Sequence, residues 1–302
     1  MYNIKKKYII RFIMIILVIF INIITADTCN AEVQDPIPCF DSGYEIGEYF
    51  YQSLILHNQI NKAEIILNKD DNINSIFKQV EQGRYTSKIE LYGAAPYLNS
   101  MKDHKYTYTI INRDSVKYLR ITYKVHYKYS KVHYQKYNKK LKYTVAKLKL
   151  YKLKNEKEQV TAIYDYICKN VYYRNKKELD STPYSALYYG KANCKGFSEL
   201  FFDMCQEAGI DCAIIYGNTS SKQKDTITHA WNIVKIGKTW YNVDSSWDTG
   251  RTKYKYFLKS DEYFEYLNHF RGKEQRQDSF VEKHLMCKPK GKWMRNLKNR
   301  LG

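Results

Sequence analysis

Between Asn193 and Gly209 the chain carries a full set of signals for one amphipathic helix. Phe197, Leu200, Phe201, Met204, Cys205 and Ala208 recur at helical spacing and make a single apolar face. Asn193 is a good N-cap and Gly209 a good residue just past the last turn, so the pattern predicts a helix from Cys194 to Ala208. A face of that kind has to be buried against a second layer, which narrows what the chain can fold into. The same placement puts Cys194 in the first helical turn. There, unpaired backbone N–H groups and the positive end of the helix dipole favour thiolate over thiol, which is what a nucleophile needs near neutral pH.

The second layer is legible downstream. Cys212-Ala-Ile-Ile-Tyr216 reads as a strand, and the polar stretch from Asn218 to Thr226 as a loop at the edge of a cleft. His229 to Ile236 and Thr239 to Asp244 read as two strands around Gly237-Lys238, a two-residue turn with glycine first. That turn pairs Ile236 with Thr239, which sets His229 opposite Ser246 and Asp244 diagonal to His229 on the same face. Such neighbours sit roughly 5 to 8 Å apart at Cβ, within reach of an imidazole–carboxylate hydrogen bond.

Cys194, His229 and Asp244 together supply the parts of a thiol acyl-transfer site. Cys194 would attack a carboxamide or peptide carbonyl. His229 would hold the thiolate as an ion pair and then protonate the leaving amine, while Asp244 would fix the imidazole tautomer. A backbone N–H at the start of the Cys194 helix would receive the oxyanion, and no side-chain donor is identified. Singly, each residue reads as well as a packed cysteine, a strand-end histidine or a hairpin aspartate. The compatible geometry of all three is what points to catalysis.

Residues 155–262 resemble the transglutaminase-like superfamily, proteins of papain-like fold with a Cys-His-Asp triad, and especially its exported bacterial members. The residues that carry the resemblance are Ala192-Asn-Cys194-Lys-Gly-Phe-Ser-Glu-Leu-Phe-Phe202, Ala208-Gly-Ile210, His229-Ala-Trp-Asn-Ile-Val234, Trp240-Tyr-Asn-Val-Asp244-Ser-Ser-Trp247-Asp248 and Tyr256-Phe-Leu-Lys-Ser-Asp261. Cys194, His229 and Asp244 fall on the family's triad positions in its chain order. The resemblance implies an α+β fold, a papain-like transglutaminase core with the cysteine helix packed on an antiparallel sheet, acting on a protein or peptide substrate. It depart from the family's pattern at Asn193, where a small apolar residue often precedes the cysteine, and at Lys195, where an acidic residue often follows. The lysine favours thiolate, so neither change argues against activity. Transglutaminases, peptidases, deamidating or deglycosylating amidases and purely binding members share these residues, and the triad does not choose among the enzymes.

The remaining chain is read as context for that core. Asn155-Glu-Lys-Glu158 has the form of a capping box, followed by the helical stripe Val160, Ile163, Tyr164, Ile167 and Val171. From 32 to 154 we expect an accessory α/β region, with helices over 44–56 and 72–80, strands over 63–67, 106–111 and 117–129, and a long basic helix through Tyr134, Tyr137, Leu141, Val145 and Leu148. The alternation of Leu119, Ile121, Tyr123, Val125, Tyr127 and Tyr129 with Arg120, Thr122, Lys124, His126 and Lys128 describes a half-buried strand with a cationic outer face. His57, His104, His126 and His133 show no evident cysteine or carboxylate partner and read as surface or packed histidines. The catalytic region is expected over 155–270, with a basic tail over 271–302.

Residues 1–31 combine a basic start, an apolar run from Phe12 to Ile24 and small residues at Cys29 and Ala31, the pattern of an export signal cleaved after Ala31 or of an uncleaved membrane anchor. Either reading makes the protein secreted or cell-surface. Cleavage would lower the net charge from +19 to +16. A charge that large fits an anionic wall polymer or membrane surface as partner, or simply a solvated surface, and export argues against nucleic acid. Seven cysteines without any Cys-x-x-Cys spacing give no structural zinc site, and no cofactor or metal is expected. Cys168, Cys205 and Cys212 sit in apolar patterns and are expected to be buried as small hydrophobes.

Overall fold

The alternating stretch before Tyr129 forms the middle of one sheet. In the computed structural model, which describes residues 36–84, 100–220, 226, 228–273 and 285–288, the strands β1 (Cys39–Phe40), β2 (Ile60–Ile66), β3 (Met101–Arg113) and β4 (Val116–Tyr127) assemble in the order β1-β2-β4-β3. Only the β1–β2 pair is parallel. Leu119, Ile121, Tyr123 and Val125 are buried, and they pack with Ile46, Phe50 and Leu54 of α1 (Gly43–Ile55) and Ile76 and Val80 of α2 (Ile73–Arg84). The polar members of the alternation turn outward, as a strand covered on one face requires. On that outer side His126 does have a carboxylate partner: its Nδ1 lies 2.5 Å from Asp103 Oδ1, because the β3–β4 register sets the two residues opposite each other.

The second half is built around α6 (Cys194–Glu207). It is preceded by α3 (Lys131–Lys147), α4 (Glu156–Asn170), β5 (Tyr172–Tyr173), α5 (Pro183–Tyr189) and β6 (Lys191–Ala192). Then come β7 (Cys212–Asn218), β8 (His229–Ile236), β9 (Thr239–Val243), α7 (Ser245–Asp248), α8 (Asp261–Tyr266) and β10 (Phe270–Arg271). The strands form an antiparallel sheet in the order β10-β7-β8-β9, and β5 and β6 make a separate short parallel pair. The fold is α+β, with a cysteine-headed helix lying on an antiparallel sheet. Phe197, Leu200, Phe201, Met204 and Cys205 of α6 meet Val160, Ile163, Tyr164 and Ile167 of α4 and Ile214, Ala230 and Val234 of the sheet in one apolar cluster. The opposite face of the sheet carries Ala213, Ile215, Trp231 and Ile233 against Phe264, Leu267, Leu285 and Cys287. Both faces are covered, so β7 and β8 are buried along most of their length where a half-exposed strand would alternate.

Several expectations meet the structure at the level of single bonds. Asn193 caps α6 by accepting from Lys195 N and Gly196 N, and Gly209 takes the left-handed conformation at φ 71°. Asn155 accepts from Glu158 N, while the Glu158 carboxylate reaches back to Lys154 N, one residue beyond the reciprocal capping box. The hairpin register is the one read from the two-residue turn, with Ile236 opposite Thr239 and Asn232 opposite Val243. Cys168, Cys205 and Cys212 are buried.

The division of the packing falls earlier than the expected boundary at 154. Tyr129 and, from α3, Tyr137, Leu141 and Val145 belong to the apolar cluster of the second half, because the buried stripe of α3 faces α5 and α6. Within the expected basic tail, Arg271 is buried and its guanidinium meets the Asp261 carboxylate at 2.8 Å, while Cys287 N donates to the same carboxylate at 2.6 Å. The export segment and Trp293 lie outside the described residues. Among the described residues no helix is long and apolar enough to cross a membrane.

One glycine is needed for this arrangement. A Cβ on Gly196, in the first turn of α6, would sit 2.8 Å from the carbonyl oxygens of both Asp180 and Thr182 and 2.9 Å from Ala192 Cβ. Backbone has nowhere to yield there, so Gly196→Ala should destabilise the protein by about 1–3 kcal/mol in urea unfolding. An unchanged midpoint would show that the loop over 180–182 can retreat from the helix.

Candidate active site

Each side chain of the site is carried by an element whose position follows from the fold. Cys194 opens α6 and is nearly buried. Asn193 ahead of it is fixed three times: its N–H donates to Asp180 O at 2.8 Å, its Oδ1 caps the helix, and its Nδ2 donates to Asn175 Oδ1 at 3.0 Å. Asp180 is itself an anchor with no solvent exposure. Its carboxylate accepts from the Arg174 guanidinium and from the backbone N–H groups of Lys176 and Lys177, both at 2.9 Å. Burial alone would raise the Asp180 carboxyl, but the Arg174 and backbone hydrogen bonds outweigh it and hold the group down at about 2.

His229 is the first residue of β8, and Asp244 follows the last residue of β9 and caps α7. The hairpin brings them together, with His229 Nε2 2.6 Å from Asp244 Oδ2. The other Asp244 oxygen accepts from Ser246 N at 2.9 Å, Ser246 Oγ at 2.7 Å and Trp247 N at 3.2 Å. The Asp244 backbone is held too, its N–H donating to Tyr256 O at 2.9 Å and its carbonyl accepting from Tyr164 Oη at 2.8 Å. Cys194 lies within side-chain interaction range of the His229 ring. The structure therefore brings all three sequence-read residues to one place.

The electrostatics follow from that contact chain. Burial opposes a charge on His229, yet the Asp244 charge and hydrogen bond, together with the Cys194 contact, lift it to about 10. Burial likewise works against the Asp244 carboxylate, and the two imidazoles that face it more than offset this, holding it well below the usual carboxylate range. The site thus favours a protonated imidazole against an ionised carboxylate across the neutral range.

Two partners were not legible in the sequence. His269, fully buried just before β10, places Nε2 3.1 Å from Asp244 Oδ2 and Nδ1 3.0 Å from Leu267 O. No spacing marks it, since it reaches the site through the turn at Asn268, where φ is +60°, and the β10–β7 pairing. Trp247 covers both imidazoles, with ring centroids 5.7 Å from His229 and 4.6 Å from His269. The ligand atoms of His229, Asp244 and His269 lie within 4.8 Å of one another, close enough to share a metal ion. Hydrogen bonds account for the cluster as it stands, because Asp244 Oδ2 already meets both imidazoles and Oδ1 has three donors.

The arrangement is a cysteine at the head of a helix packed on an antiparallel sheet, with a histidine–aspartate pair beside it. The family model described as Transglutaminase-like superfamily matches residues 144–245, and the chain carries a transglutaminase-like domain there. Among curated proteins, the kyphoscoliosis peptidase of Mus musculus is 32% identical over 124 residues, covering 35% of this chain and 19% of that protein. The human kyphoscoliosis peptidase is 32% identical over 105 residues, covering 31% of this chain and 16% of its own length. The chain thus spans less than a fifth of the length of these curated relatives. Among solved structures, one described as a TGase is similar at 14% identity and a TM-score of 0.33, over 70% of this chain and 57% of that one.

The raised His229 has a consequence for stability. A group whose pKa is higher folded than unfolded stabilises fully below its unfolded value, near 6.5, and loses that contribution as pH rises through its folded value, about 10. His229→Gln keeps a donor to Asp244 but cannot titrate. The stability of wild type relative to His229→Gln, from urea unfolding, should therefore fall by a few kcal/mol between pH 6 and pH 10.5. A difference that is flat with pH would show that His229 carries no charge in the fold.

Proposed function

We propose that the protein is an exported cysteine-dependent acyl-transfer enzyme acting on protein or peptide amides through Cys194, His229 and Asp244. The observation that carries the reading is the position of His229, between the Asp244 carboxylate at 2.6 Å and the Cys194 thiol. In this reading the thiolate attacks the amide carbonyl and forms a C–S bond. The carbonyl electron pair moves onto oxygen and returns as the C–N bond breaks, and the His229 imidazolium gives its proton to the departing amine. A water or an amine, deprotonated by the now neutral His229, then attacks the thioester and releases Cys194.

Peptidase, deamidase and transglutaminase outcomes differ only in the leaving amine and the acceptor. The similarity to proteins named as peptidases favours peptide-bond cleavage with water as acceptor. The alternative is a catalytically silent transglutaminase-like surface module that binds an anionic wall polymer or a protein; of these, wall-polymer binding finds no support among the similar proteins.

Iodoacetamide at pH 6 to 7 tests the ion pair. Cys194 should be alkylated at least tenfold faster than a free thiol, and His229→Ala should remove the advantage. Labelling of the wild type at the free-thiol rate would sink the enzyme reading. Ammonia release, amine incorporation and peptide cleavage, assayed separately on glutamine-containing peptides with Cys194→Ala as the control, then identify the acceptor.

Export through residues 1–31 is part of the proposal and rests on their sequence pattern alone. Amino-terminal sequencing of the chain recovered outside the cell should begin after Ala31 or, for an anchor, show the intact start in the membrane fraction. Recovery of the intact chain in the cytosol alone would overturn it.

A further inference from the structure

His269 takes no part in the proposed reaction, yet its hydrogen bonds do not fit a neutral ring. Its Nδ1 lies 3.0 Å from the Leu267 carbonyl oxygen, and its Nε2 lies 3.1 Å from Asp244 Oδ2. A backbone carbonyl can only accept. Against the cost of burial, the His229 charge and hydrogen bond keep Asp244 ionised, so its oxygen can only accept as well. A neutral imidazole has one N–H and one bare nitrogen, and in either tautomer a lone pair would face an acceptor inside the protein. Rotating the ring by half a turn would set carbons at both places and lose both bonds. Only a ring with a proton on each nitrogen satisfies both contacts. The ring is held to them. Its backbone N–H donates to Phe264 O at 2.8 Å, and Trp231, Trp247, Tyr256 and Phe264 enclose the side chain with centroids 4.6 to 5.5 Å away. Aromatic rings are the apolar surroundings that best tolerate a cation.

We propose that His269 is a positioning residue held as an imidazolium, a second cation on Asp244 that makes the buried site electrically neutral when Cys194 is a thiolate. This deepens the acyl-transfer reading and rests on it. In the reactive form Cys194 and Asp244 each carry a negative charge. His229 alone would leave one of them uncompensated, in a site where all four residues are buried. An unpaired charge there is costly enough to make a group take up a proton, and the group that would do so is the sulfur. The second imidazolium removes the excess. It also divides the pull of Asp244 between two rings, which leaves His229 freer to give its proton to the departing amine. Other titratable groups on the elements around His269 neither supply this charge nor cancel it. Burial raises the Tyr256 phenol and keeps it neutral. Asp248 of α7 is turned to Tyr164 and to the Lys255 and Tyr256 N–H groups, and Asp261 of α8 to Arg271.

Two measurements on the full chain test the assignment. With isotope-labelled histidine in the wild type, nitrogen NMR at neutral pH should show a proton on both nitrogens of the His269 ring, identified by its contacts with the Trp231, Trp247 and Phe264 rings. A bare nitrogen on that ring would overturn the proposal. His269→Gln keeps an amide donor for Asp244 and removes the charge. In this variant the acid limb of Cys194 alkylation by iodoacetamide should move up by about one pH unit, which is about tenfold slower labelling below the limb. A limb that stays at the wild-type pH, with or without a slower overall rate, would reduce His269 to a residue that only packs. If wild-type Cys194 reacts no faster than a free thiol, the acyl-transfer reading fails and this inference falls with it. If the wild type reacts fast and the limb does not move, only the role of His269 is lost.

Discussion

A single buried carboxylate organises the second half of this protein. Taking Asp244 out of water is costly, and the fold offsets that cost with five donors drawn from three parts of the chain. Ser246 and Trp247 supply local donors through the turn into α7, His229 comes from β8, and His269 comes from the segment before β10. The sheet is thus pinned at one point across its full order, since β10 and β9 are its two edges. The charge that would otherwise be a liability in the core becomes the reason a buried imidazole stays protonated.

A second carboxylate does the same for the helix side. Asp180 gathers Arg174, Lys176 N and Lys177 N around itself and presents its own carbonyl to Asn193 N. The loop between α4 and α5 would otherwise be free to shift relative to α6. With Asp180 in place, the strand bearing Tyr173 and the helix bearing Cys194 share one anchor. Gly196 then lets the first turn of α6 sit against the Asp180 and Thr182 carbonyls with no side chain between them. The geometry at the sulfur therefore depends on two buried acids, one on either side of it, and neither is in the pattern of apolar residues that builds the core.

What could be read ahead of the structure was what depends on neighbours in the chain. The cap at Asn193, the stripe of α6 and the two-residue turn at Gly237-Lys238 are all local, and the turn alone sets the β8–β9 register and so the approach of His229 to Asp244. His269 was invisible because it joins Asp244 across 25 residues through an irregular turn. Asp180 was invisible for a related reason: its partners are mostly backbone groups, which leave no trace in composition. The packing of α3 with the second half was not legible because its stripe shows that the helix is amphipathic but does not show which core it faces. His126 was read without a partner because Asp103 reaches it only through the β3–β4 register.

The polar residues of α6 carry a related lesson about that boundary. Glu199 and Asp203 look like the solvent face of an amphipathic helix, yet Glu199 is buried and Asp203 half-buried, the latter where Tyr137 of α3 meets α6. Burial pushes Asp203 up to about 7 even though Tyr137 Oη donates to it at 2.5 Å, and it raises Glu199 well above the ordinary range despite the nearby Lys128. Both groups bind protons more tightly folded than unfolded, so whatever they contribute to stability is present in acid and is lost as pH rises through their folded values. At neutral pH and above, this contact is therefore weaker than its buried area suggests. The helix that carries Cys194 is held in place by the sheet beneath it and the cap ahead of it, with α3 as a cover and not a foundation.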